Sequence, residues 1–171
     1  SSSYAKLLDE INSLFSITTD CEISLEANPN SLSFEYLKNL STLGFNRLSL
    51  GIQSMDPFDL TRLDRRHNIW DVLESVTNAR RAGFNNLNLD LIFGLPWQNL
   101  NGWQTCLLQA VKLQPEHFSI YSLIIEPGTP LNTWYQRGLI RAQDQDLEAD
   151  MYEFTIDTLS QTGFDHYEIS N

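Results

Sequence analysis

The sequence is poor in cysteine, in clustered positive charge and in long apolar runs. Its 171 residues hold only 2 cysteines, Cys21 and Cys106, which lie far apart and form no C-x-x-C or metal-ligand spacing. That usage points to a reducing, cytoplasmic setting. Lys and Arg number 11 against 22 Asp and Glu, a net charge of −11, and the basic residues do not gather into a patch. A protein that tracks phosphates needs a basic face, so no nucleic acid is expected as a partner. No apolar run approaches the ~20 residues of a membrane span, and no signal-peptide-like segment occurs, so no membrane span is predicted. Low-complexity tracts and linkers are also missing, which leaves residues 1–171 as a single domain. Nucleophile–base pairs, phosphate loops and metal-ligand clusters have no signature here.

What the chain does have is a set of apolar stretches that end in a polar residue. They are Ile23-Ser24-Leu25-Glu26, Leu48 to Gln53, Leu87-Asn88-Leu89-Asp90 and Ile120 to Glu126. Each is followed by a turn signal: Asn28-Pro29, Ser54 with Asp56-Pro57, Gly94-Leu95-Pro96, and Pro127-Gly128. An unpaired polar group in an apolar interior costs roughly 2–7 kcal/mol. Polar residues gathered at the carboxyl ends of successive strands are how α/β proteins build ligand sites.

A repeated junction separates these stretches. Leu43-Gly44-Phe45-Asn46 is echoed by Ala82-Gly83-Phe84-Asn85 and by Thr162-Gly163-Phe164-Asp165. In each, a helical pattern stops, glycine takes the left-handed position and a strand begins. The intervals are about 40 residues and then about twice that, with Leu113-Gln114-Pro115 making the intervening turn. Apolar faces at helical spacing are formed by Ile69, Val72, Leu73, Val76, Ala79 and Ala82; by Trp103, Cys106, Leu107, Ala110 and Val111; and by Leu147, Met151, Phe154 and Thr158. Further helices are expected over about Tyr4 to Phe15, after Ser33, and after Asp56-Pro57. Helix and strand alternate five times, the last strand being Tyr167 to Ser170, so the fold class is α/β with a parallel sheet. A closed eight-unit barrel needs about 250 residues, so the expectation is an incomplete parallel (β/α) barrel of about five units.

Several residues are candidates for a site. Glu26 is either a ligand-facing carboxylate or a cap for the next helix, and Gln53 either binds a ribose or carboxylate or is a loop amide. Asp90 has apolar neighbours on both sides, so it must be paired or functional. One of Arg65 and Arg66 could clamp a carboxylate bidentately; the alternative, which these residues by themselves favour, is a solvated helix end. His67, His117 and His166 are isolated and read as loop or sheet-edge residues. Cys106 falls on an apolar helix face and is expected to be buried, and Met55, Trp97, Trp103 and Tyr121 read as core or rim side chains.

Taken together, the motifs are Glu26-x-Asn28-Pro29, Asn46-Arg47 through Gly51-Ile52-Gln53-Ser54, Leu63-x-Arg65-x-His67, Leu89-Asp90 through Gly94-Leu95-Pro96-x-Gln98, Pro115-Glu116-His117-x-Ser119-x-Tyr121, Glu126 to Thr129, and Tyr167 to Asn171. In this order they resemble the radical S-adenosylmethionine proteins related to oxygen-independent coproporphyrinogen III oxidase. The run from Pro115 to Thr129, Met151-Tyr152 and the closing Tyr-Glu-Ile-Ser-Asn resemble the haem-chaperone branch. The oxidase branch tends to carry Pro-Asp-Arg and Asn-Tyr-Ala-His in the first of these places.

The resemblance implies a partial (β/α) barrel, S-adenosylmethionine as cofactor and a 4Fe–4S cluster. Glu26, Gln53, Arg65 and Asp90 match cofactor-contacting positions, and Ile124 matches one whose contact is through the backbone. No residue matches a catalytic or metal-ligand position. The family's C-x3-C-x2-C cluster motif, its Gly-Gly-Thr-Pro segment and its C-terminal domain have no counterpart in this sequence. The cluster ligands are therefore expected outside it, and this segment alone is expected to be inactive. Haem or a porphyrinogen is the implied ligand, with a haem-acceptor protein as a partner of the chaperone branch. The alternative is oxidative decarboxylation of coproporphyrinogen III to protoporphyrinogen IX.

Overall fold

The computed structural model describes residues 2–168. In chain order the elements are α1 (Ser2–Leu14), β1 (Ser24–Ala27), a 3-10 turn (Pro29–Ser31), α2 (Phe34–Thr42), β2 (Arg47–Gln53), α3 (Pro57–Arg62), α4 (Ile69–Ala82), β3 (Leu87–Phe93), α5 (Leu100–Val111), β4 (His117–Ser122), α6 (Pro130–Gln136) and α7 (Gln145–Gln161). The strands form one 4-stranded parallel sheet in the order β1-β2-β3-β4, which is not closed. This is the incomplete α/β barrel that the alternation of patterns predicts.

Local chemistry sets the helix limits. The Ser33 hydroxyl accepts from the Tyr36 N–H, and the Asp56 carboxylate accepts from Phe58 with Pro57 in the first turn. Asn68 and Asp71 satisfy each other's backbone N–H groups in a capping box. Each such cap contributes about 1 kcal/mol. Gly83 ends α4 at φ 102°, a conformation open to glycine at little cost. At the equivalent junction before β4, Gln114 takes φ 52° without being glycine, and the Arg80 guanidinium donates to its carbonyl at 2.6 Å. Arg80 also pairs with Glu116 at 2.9 Å, and Glu116 accepts from the Leu87 N–H.

The sheet has two unlike faces. Leu48, Leu50 and Ile52 of β2, Leu87, Leu89, Leu91 and Phe93 of β3, and Phe118 and Ile120 of β4 point to the helices and are buried. They pack with Leu37, Leu40, Val72, Ala79, Trp103, Leu107 and Met151 in one apolar cluster. The opposite face carries Glu26, Ser49, Gly51, Asn88, Asp90, His117 and Ser119. A parallel sheet covered on both faces has near-continuous apolar strands. Here the strands alternate, so one face is built for polar contact.

Two buried tethers bind the helical layer. The Trp103 indole, fully buried on α5, donates to the Met151 carbonyl and to the Thr155 hydroxyl of α7. Asp59 of α3, buried, accepts from Ser54, Trp97 and Gln98, joining the ends of β2 and β3. Burial raises the Asp59 pKa, although those hydrogen bonds act the other way. Cys106 is buried as expected, accepts from the Met55 N–H, and has its thiol pKa pushed up to about 11, chiefly by desolvation.

The structure corrects several sequence expectations. β1 begins at Ser24 rather than Ile23, because the Asn46 side chain occupies the backbone of residues 21 and 23: it accepts from Ile23 N–H and donates to the Cys21 carbonyl. β4 runs His117–Ser122, and only the Leu123 N–H continues the pairing, to Phe93, so Glu126 does not end a strand. The expected strand from Tyr167 to Ser170 is not formed at Tyr167 and Glu168, and the rest of it lies outside the described residues. Residues 164–168 are held instead by side chains, with Phe164 against Phe118 and Tyr167 against His117. α6 is not among the expected helices; it is capped by Thr129 with Pro130 in its first turn.

Candidate functional site

The polar face is organised by strand register. Glu26 of β1 is opposite Ser49 of β2, and Ser49 is opposite Asn88 of β3. Asn88 and Asp90 are in turn opposite His117 and Ser119 of β4. Side chains from four strands therefore meet in one row.

Asp90 sits in the middle, partly buried. It accepts from the Asn88 amide at 2.6 Å and from the Ser49 hydroxyl at 3.2 Å. Burial raises its pKa, the charge of Glu26 adds to this, and the hydrogen bonds from Asn88, Ser49 and Ser119 oppose it. The Asn88 amide also donates to Ser49, while its carbonyl faces His117 Nδ1 and the Ser119 hydroxyl. Glu26 is exposed on its strand and reaches toward open space.

Gln53 closes β2 at φ 64°, an unusual conformation for a side-chain-bearing residue. Its amide folds over Gly51: a Cβ there would lie 2.9 Å from Gln53 Nε2 and 3.5 Å from Asn28 Oδ1. Glycine at 51 thus makes room for the Gln53 amide beside Asn28. The next loop is tied to the same place, because the buried His67 ring bonds the Ile52 carbonyl. Arg65, two residues earlier, donates its backbone N–H to Leu60. Its Nε is buried and has no partner among the described residues. An unpaired buried guanidinium nitrogen is expensive, and an anionic group would satisfy it. Ile124 lies in the loop after β4 and is 72% exposed.

The structure thus places Glu26 and Asp90 on one sheet face, with Gln53 folded over Gly51 at the end of β2; Arg65 lies two residues before the His67 that bonds Ile52, and Ile124 is exposed in the loop after β4. Ser49, Asn88, Ser119 and Tyr167 escaped the sequence reading of the site, and His117 entered it only as an isolated residue. The signal was available in the i, i+2 polar pairs Asn88/Asp90 and His117/Ser119 inside parallel strands. Among the described residues, no group of three or more His, Cys, Asp or Glu is placed to hold a metal ion. No described helix is long and apolar enough to cross a membrane.

Comparison with known proteins supports the fold and gives the family. The chain is 42% identical over 167 residues to the heme chaperone HemW of Bacillus subtilis, an alignment spanning 97% of this chain and 44% of that protein. It is 36% identical to the mitochondrial radical S-adenosyl methionine domain-containing protein 1 of Bos taurus, over 98% of this chain and 38% of that one. Among solved structures, coproporphyrinogen III oxidase (HemN) from Escherichia coli, a radical SAM enzyme, superposes with a TM-score of 0.81 at 26% identity, over 96% of this chain and 38% of its own. An archaeal Elp3 from Methanocaldococcus infernus shares the fold, with a TM-score of 0.75 at 18% identity. The chain spans less than half the length of the curated relatives cited here. The model of the Radical SAM superfamily matches residues 2–108, more than half of the 171, and the chain belongs to that superfamily.

Proposed function

We propose that these residues form one wall of the S-adenosylmethionine site in a haem chaperone, a protein that binds haem and passes it to an acceptor protein. What supports the reading most is the identity of 36–42% to proteins named heme chaperone HemW, over most of the chain. The coproporphyrinogen oxidase, at 26%, is more distant in sequence. One observation favours the cofactor: the unpaired buried Nε of Arg65.

In this reading Arg65 faces the cofactor's carboxylate with a donor that has no other partner. Glu26 and Asp90 accept from its amino or hydroxyl groups. Gln53 serves either kind of group from the hollow over Gly51, and Ile124 contributes backbone. The cofactor, with a reduced 4Fe–4S cluster, would supply one-electron cleavage of a carbon–sulfur bond. The chain's own part is to orient the bound molecule and shield it from water. The 1–171 segment is read as one partial barrel domain, with the cluster ligands supplied by further sequence of a longer protein. The setting is read as cytoplasmic, and haem as the cargo.

The test uses the full-length protein loaded with haem and offered an apo-acceptor. Haem transfer without consumption of coproporphyrinogen III is the expected result. Conversion of coproporphyrinogen III to protoporphyrinogen IX, with S-adenosylmethionine consumed, would replace the chaperone reading with the oxidase.

A further inference from the structure

Asp90 has a supporting layer whose polarity can be worked out atom by atom. The Asn88 amide, buried to 1% exposure, has all four of its hydrogen-bonding positions occupied. Its NH2 group donates to Ser49 Oγ at 2.7 Å and to Asp90 Oδ1 at 2.6 Å. Its carbonyl oxygen meets Ser119 Oγ at 3.2 Å and His117 Nδ1. A carbonyl oxygen can only accept, so Nδ1 of His117 carries the proton. In the neutral ring Nε2 is then an acceptor, and the Tyr167 hydroxyl faces it. Turning the amide over would set its oxygen against the Asp90 carboxylate, so the ionised Asp90 fixes the amide and the amide in turn fixes the His117 tautomer.

We propose that Asn88 and His117 are positioning residues for Asp90: a one-way chain of hydrogen bonds, Tyr167 to His117 to Asn88 to Asp90, holds that carboxylate ionised and aimed at the cofactor. This rests on the reading that Asp90 contacts S-adenosylmethionine. The chain joins the segment after α7 to the site through β4 and β3, elements far apart in sequence. Burial and the charge of Arg47 lower the His117 pKa, against the opposing charges of Asp90, Glu22 and Glu168, which favours the neutral ring that the geometry requires.

The decisive substitution is Asn88→Asp. It replaces the NH2 group with a second carboxyl group in contact with Asp90, and two such groups in contact share a proton. Glu26 from β1 bears on Asp90, and Arg47 from β2, Asp90, Glu22 and Glu168 bear on His117 from β4. The charge of Glu26 strengthens proton uptake by the pair.

S-adenosylmethionine binding is measured by equilibrium dialysis on the full-length protein with its cluster reconstituted, from pH 8.5 to 5.5, with wild type and Asp90→Ala alongside. The expected result is about tenfold weaker binding of Asn88→Asp at pH 8.5, recovering to within about threefold of wild type at pH 5.5, as the added carboxyl takes up a proton and donates to Asp90 as the amide did. Asn88→Asp that binds as wild type at every pH, or that stays weak at every pH, overturns the proposal while Asp90→Ala still weakens binding. Asp90→Ala that binds normally removes the site reading itself. Nitrogen NMR of the imidazole in wild type needs no variant to fold: a neutral His117 protonated at Nδ1 is expected at pH 7.5, and an Nε2-protonated or cationic ring overturns the proposal.

Discussion

Gly51 matters because its missing side chain makes room for the Gln53 amide. It is not in a left-handed conformation, so an alanine is tolerated by the backbone there. The added Cβ would meet only the far end of a partly exposed Gln53 side chain, which can swing away. Gly51→Ala in the full-length protein is therefore expected to change unfolding free energy by less than about 0.5 kcal/mol. It should weaken S-adenosylmethionine binding roughly fivefold, about 1 kcal/mol, because Gln53 loses its place. Urea titration and equilibrium dialysis measure the two effects separately; a large stability loss with unchanged affinity would count against the hollow being a binding feature. At this scale the sequence was informative where a residue contradicts its surroundings. Asp90 between Leu89 and Leu91 announced itself as a polar group inside an apolar stretch. His117 did not, because its meaning depends on a register with Asn88 that no local pattern encodes.

At the scale of elements, the contact between α5 and α7 carries a prediction about stability. Trp103 is fully buried, packs its ring near Phe93 at a centroid distance of 5.6 Å, and spends its single donor on Met151 and Thr155. Trp103→Ala removes that packing and is expected to cost about 3–5 kcal/mol. Trp103→Phe keeps most of the packing and loses the hydrogen bond, for about 1–2 kcal/mol. Urea unfolding of both variants should show this order, and equal losses would mean that the hydrogen bond, not the ring, dominates. The helices were legible because their caps and apolar spacing are local, as at Asn68 and Asp71. Strand ends were less so. A side chain, Asn46, substitutes for backbone pairing at the start of β1, and the chain leaves the sheet after Ser122 although Leu123, Ile124 and Ile125 continue the apolar run. Apolar content alone does not mark where hydrogen-bonded partners stop.

For the whole molecule, the open sheet limits what these residues do unaided. A 4Fe–4S cluster in this superfamily is held by cysteine thiolates, and the 171 residues contain 2 cysteines, of which Cys106 is buried against Met55 and Ser54. Treating the 171-residue chain with iron and sulfide under reducing, anaerobic conditions is expected to give no cysteine-ligated 4Fe–4S absorption or paramagnetic signal. A stable cluster signal would show that other ligands suffice. The parallel architecture and its incompleteness were readable from the alternation of patterns. The number of strands was not, because Tyr167 joins β4 through its hydroxyl rather than its backbone.

The unlike faces of the sheet have a bearing on assembly. The apolar side is sealed by this chain's own helices, while Ser49, Asn88 and Ser119 already answer one another's hydrogen-bonding needs on the other. These groups, buried as they are, are satisfied from within, without the penalty that unpaired polar atoms would impose, and the wall needs no outside group to keep the three side chains in place.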